Sequence, residues 1–338
     1  MKEKILSTGE KSMQFKKIYR GCFIVGMTVM LCCSCGKDEL KEHYEQGGTY
    51  LEEGKYDEAI KEFDQAFNDA GDSKASKNNK KVYRSQAIAY YKKGDYKKAV
   101  SLFQYALDID ELSEIDLDIL KYKVLADQKM GDYELAIEDF DKAIALDKEN
   151  FELYFGKYFA QVKIEDTAGA SATLEAAREI SGKGDEYKFN LSKVYYYMEQ
   201  YDVAIAGFKE AINNGIKDAY YFLGDAYYKS GEYDKAIECF KKLLGEETTQ
   251  DLGLVYNQYG NCYMKKENYE KALELFKKGQ KIKNTEWMKP LKYNEVVALE
   301  RLSRFDEALK VCESYLKTYP DDASMSKEKE FLESRITN

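Results

Sequence analysis

The feature of this chain that most constrains its fold is an alanine that recurs eight times, at intervals of 32 to 40 residues. An aromatic residue stands three positions before seven of these alanines, and Phe stands four positions after six of them. Residues separated by three, four and seven positions share one face of an α-helix. A period of this length predicts stacked helical units. The alanines are Ala59, Ala99, Ala136, Ala170, Ala204, Ala236, Ala272 and Ala308.

A second apolar stretch precedes each of these helices, as at Tyr220, Leu223, Gly224 and Tyr227. A short polar break separates the two stretches of a unit, and in four units the break begins with glycine. Glycine favours the left-handed conformation in which many helices end. Each unit is therefore predicted to be a helix-turn-helix pair. The glycines are Gly54, Gly94, Gly131 and Gly231.

The unit at residues 220–244, YYFLGDAYYKSGEYDKAIECFKKLL, closely resembles the tetratricopeptide repeat. The resemblance covers about residues 41–320, with departures in the fourth unit, at Glu165 and Thr167, and in the eighth, at Val296 and Cys312. It implies an all-α fold: a right-handed α-solenoid superhelix of about eight helix-turn-helix repeats. The apolar residues of the final stretch, 321–338, predict a C-terminal capping helix.

The first 34 residues have the pattern of a secretory signal peptide, in which a basic segment precedes an apolar run from Cys22 to Cys33. The run is shorter than the roughly 20 residues that a membrane-spanning helix needs. Its end resembles the lipobox of bacterial lipoproteins, which implies a lipid on Cys35 and a short tether over residues 35–40. Cys32 and Cys33 are alternative acylation sites, and an uncleaved N-terminal anchor is a further alternative. The resemblance implies a lipid-anchored protein on the extracytoplasmic face of a bacterial cell membrane.

Charge disfavours a nucleic-acid partner. The formal net charge is −9, and six of the 52 basic side chains but only two of the 61 acidic ones lie in residues 1–34. Removing that segment would leave a still more acidic chain, which repels phosphates.

Catalytic and metal-binding motifs are not found in the sequence. His43 is the single histidine, and no metalloprotease, phosphate-loop or nucleophile-elbow pattern occurs. The chain is therefore predicted not to be an enzyme and to need no cofactor or metal. Cys239, Cys262 and Cys312 are predicted to be buried thiols, although a bridge between Cys239 and Cys262 stays open.

Ligand binding is predicted on the first helices of the repeats, because the resemblance implies that these helices line the concave side of the superhelix. By register, the inward columns of repeats four to six hold seven aromatic residues. Aromatic side chains favour binding sites, but packing alone also explains these residues. If they line a groove, Tyr196, Tyr197, Tyr221 and Tyr228 should be partly exposed. The seven are Phe155, Phe159, Phe189, Tyr196, Tyr197, Tyr221 and Tyr228.

A further column holds six cations, which either read an acidic peptide or simply complement the negative ends of the first helices. They are Lys92, Lys129, Lys163, Lys229, Lys265 and Arg301. Two functions stay open at this point. One is a membrane-tethered scaffold for a protein or peptide, and the other is an accessory protein for a solute or glycan.

Overall fold

The computed structural model describes residues 38–69, 77–283 and 285–336. The predicted signal peptide and the candidate acylation sites Cys32, Cys33 and Cys35 lie outside these ranges. None of the helices within them is long and apolar enough to span a bilayer.

Seventeen α-helices and one short 3-10 helix make up the regular structure of the described ranges, which contain no β-strand. The all-α prediction is therefore confirmed. The α-helices are α1 Asp38–Glu52, α2 Tyr56–Asp69, α3 Lys77–Lys93, α4 Tyr96–Leu107, α5 Asp116–Met130, α6 Tyr133–Leu146, α7 Phe151–Lys163, α8 Thr167–Arg178, α9 Asp185–Tyr197, α10 Tyr201–Asn213, α11 Ala219–Lys229, α12 Tyr233–Leu243, α13 Leu252–Lys265, α14 Tyr269–Gly279, α15 Met288–Arg301, α16 Phe305–Thr318 and α17 Ala323–Ile336.

The helices pair in chain order, so that α1 and α2 form repeat one and α15 and α16 form repeat eight. They divide into two compact units, of which the first ends at Ile180 and the second begins at Ser181. The N-terminal unit holds repeats one to four. The C-terminal unit holds repeats five to eight and α17, which packs against α16.

The recurrent alanines are buried where the helices of a repeat meet, and six of the eight Phe-column positions hold fully buried phenylalanines. The glycines of the first helices make room for these rings. A Cβ atom on Gly260 would lie 2.4 Å from Cε1 of Phe276 in the same repeat, and one on Gly224 would lie 2.9 Å from Cε1 of Phe240 in the same repeat. Small residues and phenylalanine thus form a complementary interface that recurs in several of the repeats.

The break between the two helices of a repeat uses a left-handed residue throughout. Gly131 has a φ of 88° and Gly231 a φ of 79°. Where glycine is missing, a side chain adopts the same conformation, as at Glu165 with a φ of 61° and Ser303 with a φ of 57°. The fourth and eighth repeats therefore keep the turn geometry despite their departures in sequence, at some cost in backbone strain.

Cys239, Cys262 and Cys312 are buried free thiols, as predicted, and no bridge joins Cys239 to Cys262. Burial raises the pKa of the Cys239 thiol to about 12. These thiols therefore behave as apolar packing groups at neutral pH.

Candidate functional site

The seven candidate groove aromatics differ in how far they are buried, and some are less exposed than the sequence predicted. Phe155 and Phe159 are on α7 in the N-terminal unit, and the other five are on α9 and α11 in the C-terminal unit. Five are buried, namely Phe155, Phe159, Phe189, Tyr196 and Tyr221. Tyr197 and Tyr228 are half-buried. The expectation that Tyr196 and Tyr221 are partly exposed is wrong.

The buried rings fill the space between the helices of the C-terminal unit. The ring of Phe222, on α11, has its centroid 5.7 Å from Phe189 and 5.9 Å from Tyr196, both on α9. The Tyr221 ring lies 6.2 Å from that of Phe240 on α12. These aromatic contacts stabilise the packing of neighbouring helices, so truncating Tyr196 or Tyr221 would damage the fold.

The two half-buried tyrosines keep part of each ring accessible. Tyr197 packs against Tyr196 with 5.1 Å between centroids, and Tyr228 packs against Tyr233 at 5.7 Å. Burial is the main cause of the raised pKa of Tyr228. The Tyr228 hydroxyl is therefore neutral near pH 7, so this ring can offer an apolar face to a ligand without carrying charge.

The C-terminal unit also contains a feature that the aromatic columns did not indicate: six polar side chains hydrogen-bonded from one first helix to the next. We call this set the polar ladder. It begins on α9 and reaches α15 through α11 and α13. Its members are Tyr196, Asp225, Gln258, Asn261, Asn257 and Asn294.

Asp225 is the one acidic member of the polar ladder and is fully buried. It accepts hydrogen bonds from the Tyr196 hydroxyl and, at 2.6 Å, from Nε2 of Gln258. The Gln258 amide oxygen accepts from Nδ2 of Asn261 at 3.0 Å. Each polar group thereby gains a partner that offsets its loss of water.

Asn294 lies at the α15 end of the polar ladder and is half-buried. Its Nδ2 donates to Oδ1 of Asn257 at 2.8 Å and to Oδ1 of Asn261 at 3.3 Å. Asn257 and Asn261, four residues apart, were the available signal in the sequence, since both occupy inward columns. Their hydrogen bonds with Asn294 could not be predicted from the sequence, because these bonds depend on how α13 and α15 pack.

A second buried polar cluster lies inside repeat three of the N-terminal unit. Lys123 on α5 forms ion pairs with Asp127, at 3.4 Å, and with Asp139 on α6. All three side chains are buried. Burial is the main cause that raises the pKa of Asp127 to about 6, and nearby Asp139 raises it further, whereas Lys123 opposes the shift. We call these three residues the charged triad.

The six cations of the further column are all exposed in the last turn of a first helix. His43 lies on α1, with Nδ1 2.6 Å from Oε2 of Glu62 on α2, which ties the two helices of repeat one together. Over the part of the chain that is described, no group of three or more His, Cys, Asp or Glu residues is placed to hold a metal ion.

Comparison with known proteins recognises tetratricopeptide repeats in residues 42–111, 125–150, 217–245 and 253–285. No curated protein matches the chain in sequence. The matched segments include both helices of repeats one, two, six and seven. They also include α6 and the C-terminal part of α5, which form repeat three.

Solved structures with a similar fold include a tetratricopeptide repeat protein from Parabacteroides merdae. It is 16% identical, with a TM-score of 0.61 over 78% of this chain and 99% of that one. Yeast Tom70 is 17% identical, with a TM-score of 0.59 over 97% of this chain and 70% of that one. A human IFIT1 dimer with m7Gppp-AAAA is 16% identical, with a TM-score of 0.50 over 90% and 72%. At these identities the similarity establishes the fold, an α-helical repeat solenoid.

Proposed function

We propose that this protein is a non-enzymatic scaffold that binds an extended segment of a protein partner on the first helices of its C-terminal unit. The tetratricopeptide repeat fold is typical of protein-interaction scaffolds. The single observation that supports this site is the polar ladder, which connects four first helices and ends at the half-buried Asn294.

Amide side chains suit a peptide backbone because each carries both a donor and an acceptor. Asn294 uses one amino group on two acceptors within the protein, and its own carbonyl oxygen can accept from a partner. Tyr197 and Tyr228 add partly accessible rings on α9 and α11 of the same unit. Backbone recognition with a few side-chain contacts is how extended peptides are commonly bound.

Site-specific photo-crosslinking tests the proposed surface. A benzoylphenylalanine in place of Tyr228 should capture a protein partner in intact cells. The matched control carries the same group at Val203, which is 49% exposed on α10, a second helix of the same unit. A crosslink at Tyr228 but not at Val203 supports the proposal. Equal capture at both sites, or capture at Val203 alone, contradicts it.

The membrane tether is a separate part of the proposal and concerns the N-terminal segment. A lipid on Cys35 would hold the repeats on the extracytoplasmic face of a bacterial membrane, since each buried methylene contributes about 0.8 kcal/mol to anchoring. Cys35→Ala should abolish incorporation of a labelled fatty acid and release the protein from membranes. Cys32→Ala and Cys33→Ala are the matched controls, and labelling lost in one of these instead would move the site there.

The alternative function, binding of a solute or glycan, depended on accessible aromatic side chains. Five of the seven candidates are buried, and no other observation favours this function. We likewise propose a protein partner over a nucleic acid because of the acidic net charge.

A further inference from the structure

The capping helix α17 is joined to repeat eight by a small apolar interface and one polar anchor. Of its 14 residues, all of which the structure describes, Met325 and Leu332 are buried. The anchor is Asp322, which accepts a hydrogen bond from the Tyr315 hydroxyl on α16 at 2.6 Å and pairs with Lys289 on α15 at 2.8 Å. Asp322 also accepts from the backbone N–H of Met325 at 3.1 Å. With so little apolar burial, a single further interaction can decide how often α17 separates from repeat eight.

Two carboxyl groups meet across this interface. Glu300, in the last turn of α15, is hydrogen-bonded to Glu328 on α17, and both side chains are half-buried. A hydrogen bond between two carboxyl groups needs a proton on one of them, because an ionised carboxylate only accepts. The Oε1 atom of Glu300 is buried and has no hydrogen-bond partner among the described residues. Ionised Glu300 would therefore lack solvation and face a like charge.

The docked position of α17 favours a proton on Glu300. Burial is the main cause that raises the pKa of Glu300 from 4.5 to about 8, and Glu328 raises it further, whereas Arg301 opposes the shift. When α17 separates, water reaches the carboxyl group and the proton is released. The stabilisation that this proton gives to the docked helix is fully present below about pH 4.5, and it is lost as the pH rises through about 8.

The other ionisable groups near the pair on α15 and α16 carry no charge between pH 5 and 8 or are exposed to water. On α15, burial raises the pKa of the Tyr293 hydroxyl, which stays neutral. On α16, burial raises the pKa of the Cys312 thiol to about 11, so that it stays neutral as well. Glu313, beside Cys312, is exposed. The proton on Glu300 is therefore the one to follow on this side of the interface.

The groups on the α17 side, and those of the other helices packed against α15, have partners of their own. Lys329 on α17 forms an ion pair with Glu333 at 2.9 Å. The contacts of Asp322 lower its pKa to about 2 although burial opposes the shift, so this anchor does not change between pH 5 and 8. Lys277 of α14 pairs with Glu295 on α15 at 3.5 Å. The last turn of α13, which also packs against α15, carries the exposed Lys265.

We propose that α17 is a pH-sensitive cap, held on repeat eight by one proton that Glu300 and Glu328 share, and opened more often as that proton is lost. Opening uncovers the Cys312 thiol, which is fully buried and donates to the main-chain oxygen of Met325 on α17 at 3.4 Å. Mild acid thus keeps the end of the repeat array closed, and a rise of pH towards 8 loosens it.

Reaction of the purified protein with a pyridyl disulfide reagent, mapped to each cysteine by mass spectrometry, tests the proposal. Rates between pH 5 and 8 are divided by those of the same cysteine in the urea-denatured protein, which removes the intrinsic effect of pH on thiol reactivity. Because each opening releases one proton, the corrected rate at Cys312 should rise by up to about tenfold per pH unit. Cys239 and Cys262, which are buried in repeats six and seven, are internal controls and should show no such rise.

Three variants assign the proton. Glu300→Gln keeps the shape of the side chain and a donor for Glu328 but has no proton to lose, so its corrected Cys312 rate should stay low and constant with pH. Glu328→Gln should reduce the rise without abolishing it, because Glu300 remains buried. Glu313→Gln, the matched control, removes an exposed carboxylate next to Cys312 and should keep the full rise.

Two results would overturn the pH-sensitive cap: a corrected Cys312 rate that is constant with pH in the unaltered protein, or an equal rise in Glu300→Gln. A parallel rise at Cys239 and Cys262 would also overturn it, because it would show opening of the whole unit. Circular dichroism checks that the variants keep their helix content. If Glu300→Gln does not fold, the comparison of Glu328→Gln with Glu313→Gln decides, and equal rises in these two variants would contradict the proposal.

Discussion

The charged triad of repeat three and the polar ladder of repeats five to eight are both buried polar clusters, but they connect different parts of the molecule. The charged triad lies between α5 and α6 and stays within one repeat. The polar ladder runs from α9 to α15 across four repeats. The charged triad contains two carboxylates and one lysine. The polar ladder contains one carboxylate, that of Asp225, which accepts hydrogen bonds from neutral donors.

Buried polar side chains therefore have two different roles in this repeat fold. In a solenoid each repeat contacts only its neighbours, so a cluster inside one repeat affects local stability. A cluster that links first helices instead couples successive repeats and keeps polar groups near the surface where a ligand would lie. Only the polar ladder ends at a partly accessible side chain, Asn294, among the residues of these two clusters.

The largest effect is expected from Lys123→Met, which leaves Asp127 buried without a cation and leaves Asp139 with only the exposed Lys142. Breaking a buried ion pair in this way should lower the free energy of unfolding by about 3–5 kcal/mol. Hydrogen exchange should rise mainly in α5 and α6. The control is Lys142→Met, which removes the exposed partner of Asp139 and should cost far less. An equal rise of hydrogen exchange in α13 would contradict the view that the charged triad affects only its own repeat.

Asp225→Ala should have the next largest effect, because it removes the acceptor of both Tyr196 and Gln258. Leaving two buried donors unsatisfied should lower the unfolding free energy by about 3 kcal/mol. Exchange should rise in α9, α11 and α13 together, unlike the local response to Lys123→Met. Asp234→Ala, at an exposed site of the same unit, is the control. A response confined to α11 would show that the polar ladder does not couple repeats.

The pH dependence of stability should separate the two clusters further. The pKa of Asp127 is raised from 3.8 to about 6 in the folded state. The folded protein therefore binds this proton more tightly than the unfolded chain. The resulting stability is fully present below pH 4 and is lost as the pH rises through about 6.

The shift of about two pKa units corresponds to an effect of about 3 kcal/mol, because each pKa unit is worth about 1.4 kcal/mol. It should appear as the difference in unfolding free energy between the unaltered protein and Asp127→Asn, measured by denaturant titration from pH 4 to 7. A difference that does not change with pH over this range would contradict the assignment.

The smallest effect is expected from Tyr196→Phe, which keeps the buried ring and removes only the hydroxyl that donates to Asp225. The melting temperature should fall by an amount that corresponds to about 1 kcal/mol. Tyr228→Phe, at the half-buried tyrosine, should change it less. Equal shifts in the two variants would show that the hydroxyl of Tyr196 adds nothing to the polar ladder.

Most of the fold was predictable because its signals are local. The spacing of Ala236 and Phe240 defines one helix face, and Gly231 defines the turn before it, so a short window of sequence contains the whole interface of a repeat. Even the irregular fourth repeat keeps the turn, with Glu165 in the left-handed conformation. The division of the described residues after Ile180 had no such signal.

The candidate site was much less predictable. By register alone, Tyr196 and Tyr221 belong to the inward columns, where the side chains were expected to be partly exposed. The exposure of a side chain also depends on the neighbouring repeats, which register does not describe. Phe222, a residue outside the predicted set, closes the space beside Tyr196. Tyr197 and Tyr228, which lie at the ends of α9 and α11, are half-buried.

The sequence by itself determined the repeat length, the helix pairs, the small-residue interfaces and the exposed cations at the helix ends. Each of these depends on residues that are close in the chain. Only the tertiary structure decided that Asp225 meets Tyr196 and Gln258, that Asn294 reaches Asn257, and that Lys266 pairs with Asp234. Those contacts join residues about one repeat apart, and helix packing brings them together in a way that local periodicity does not specify.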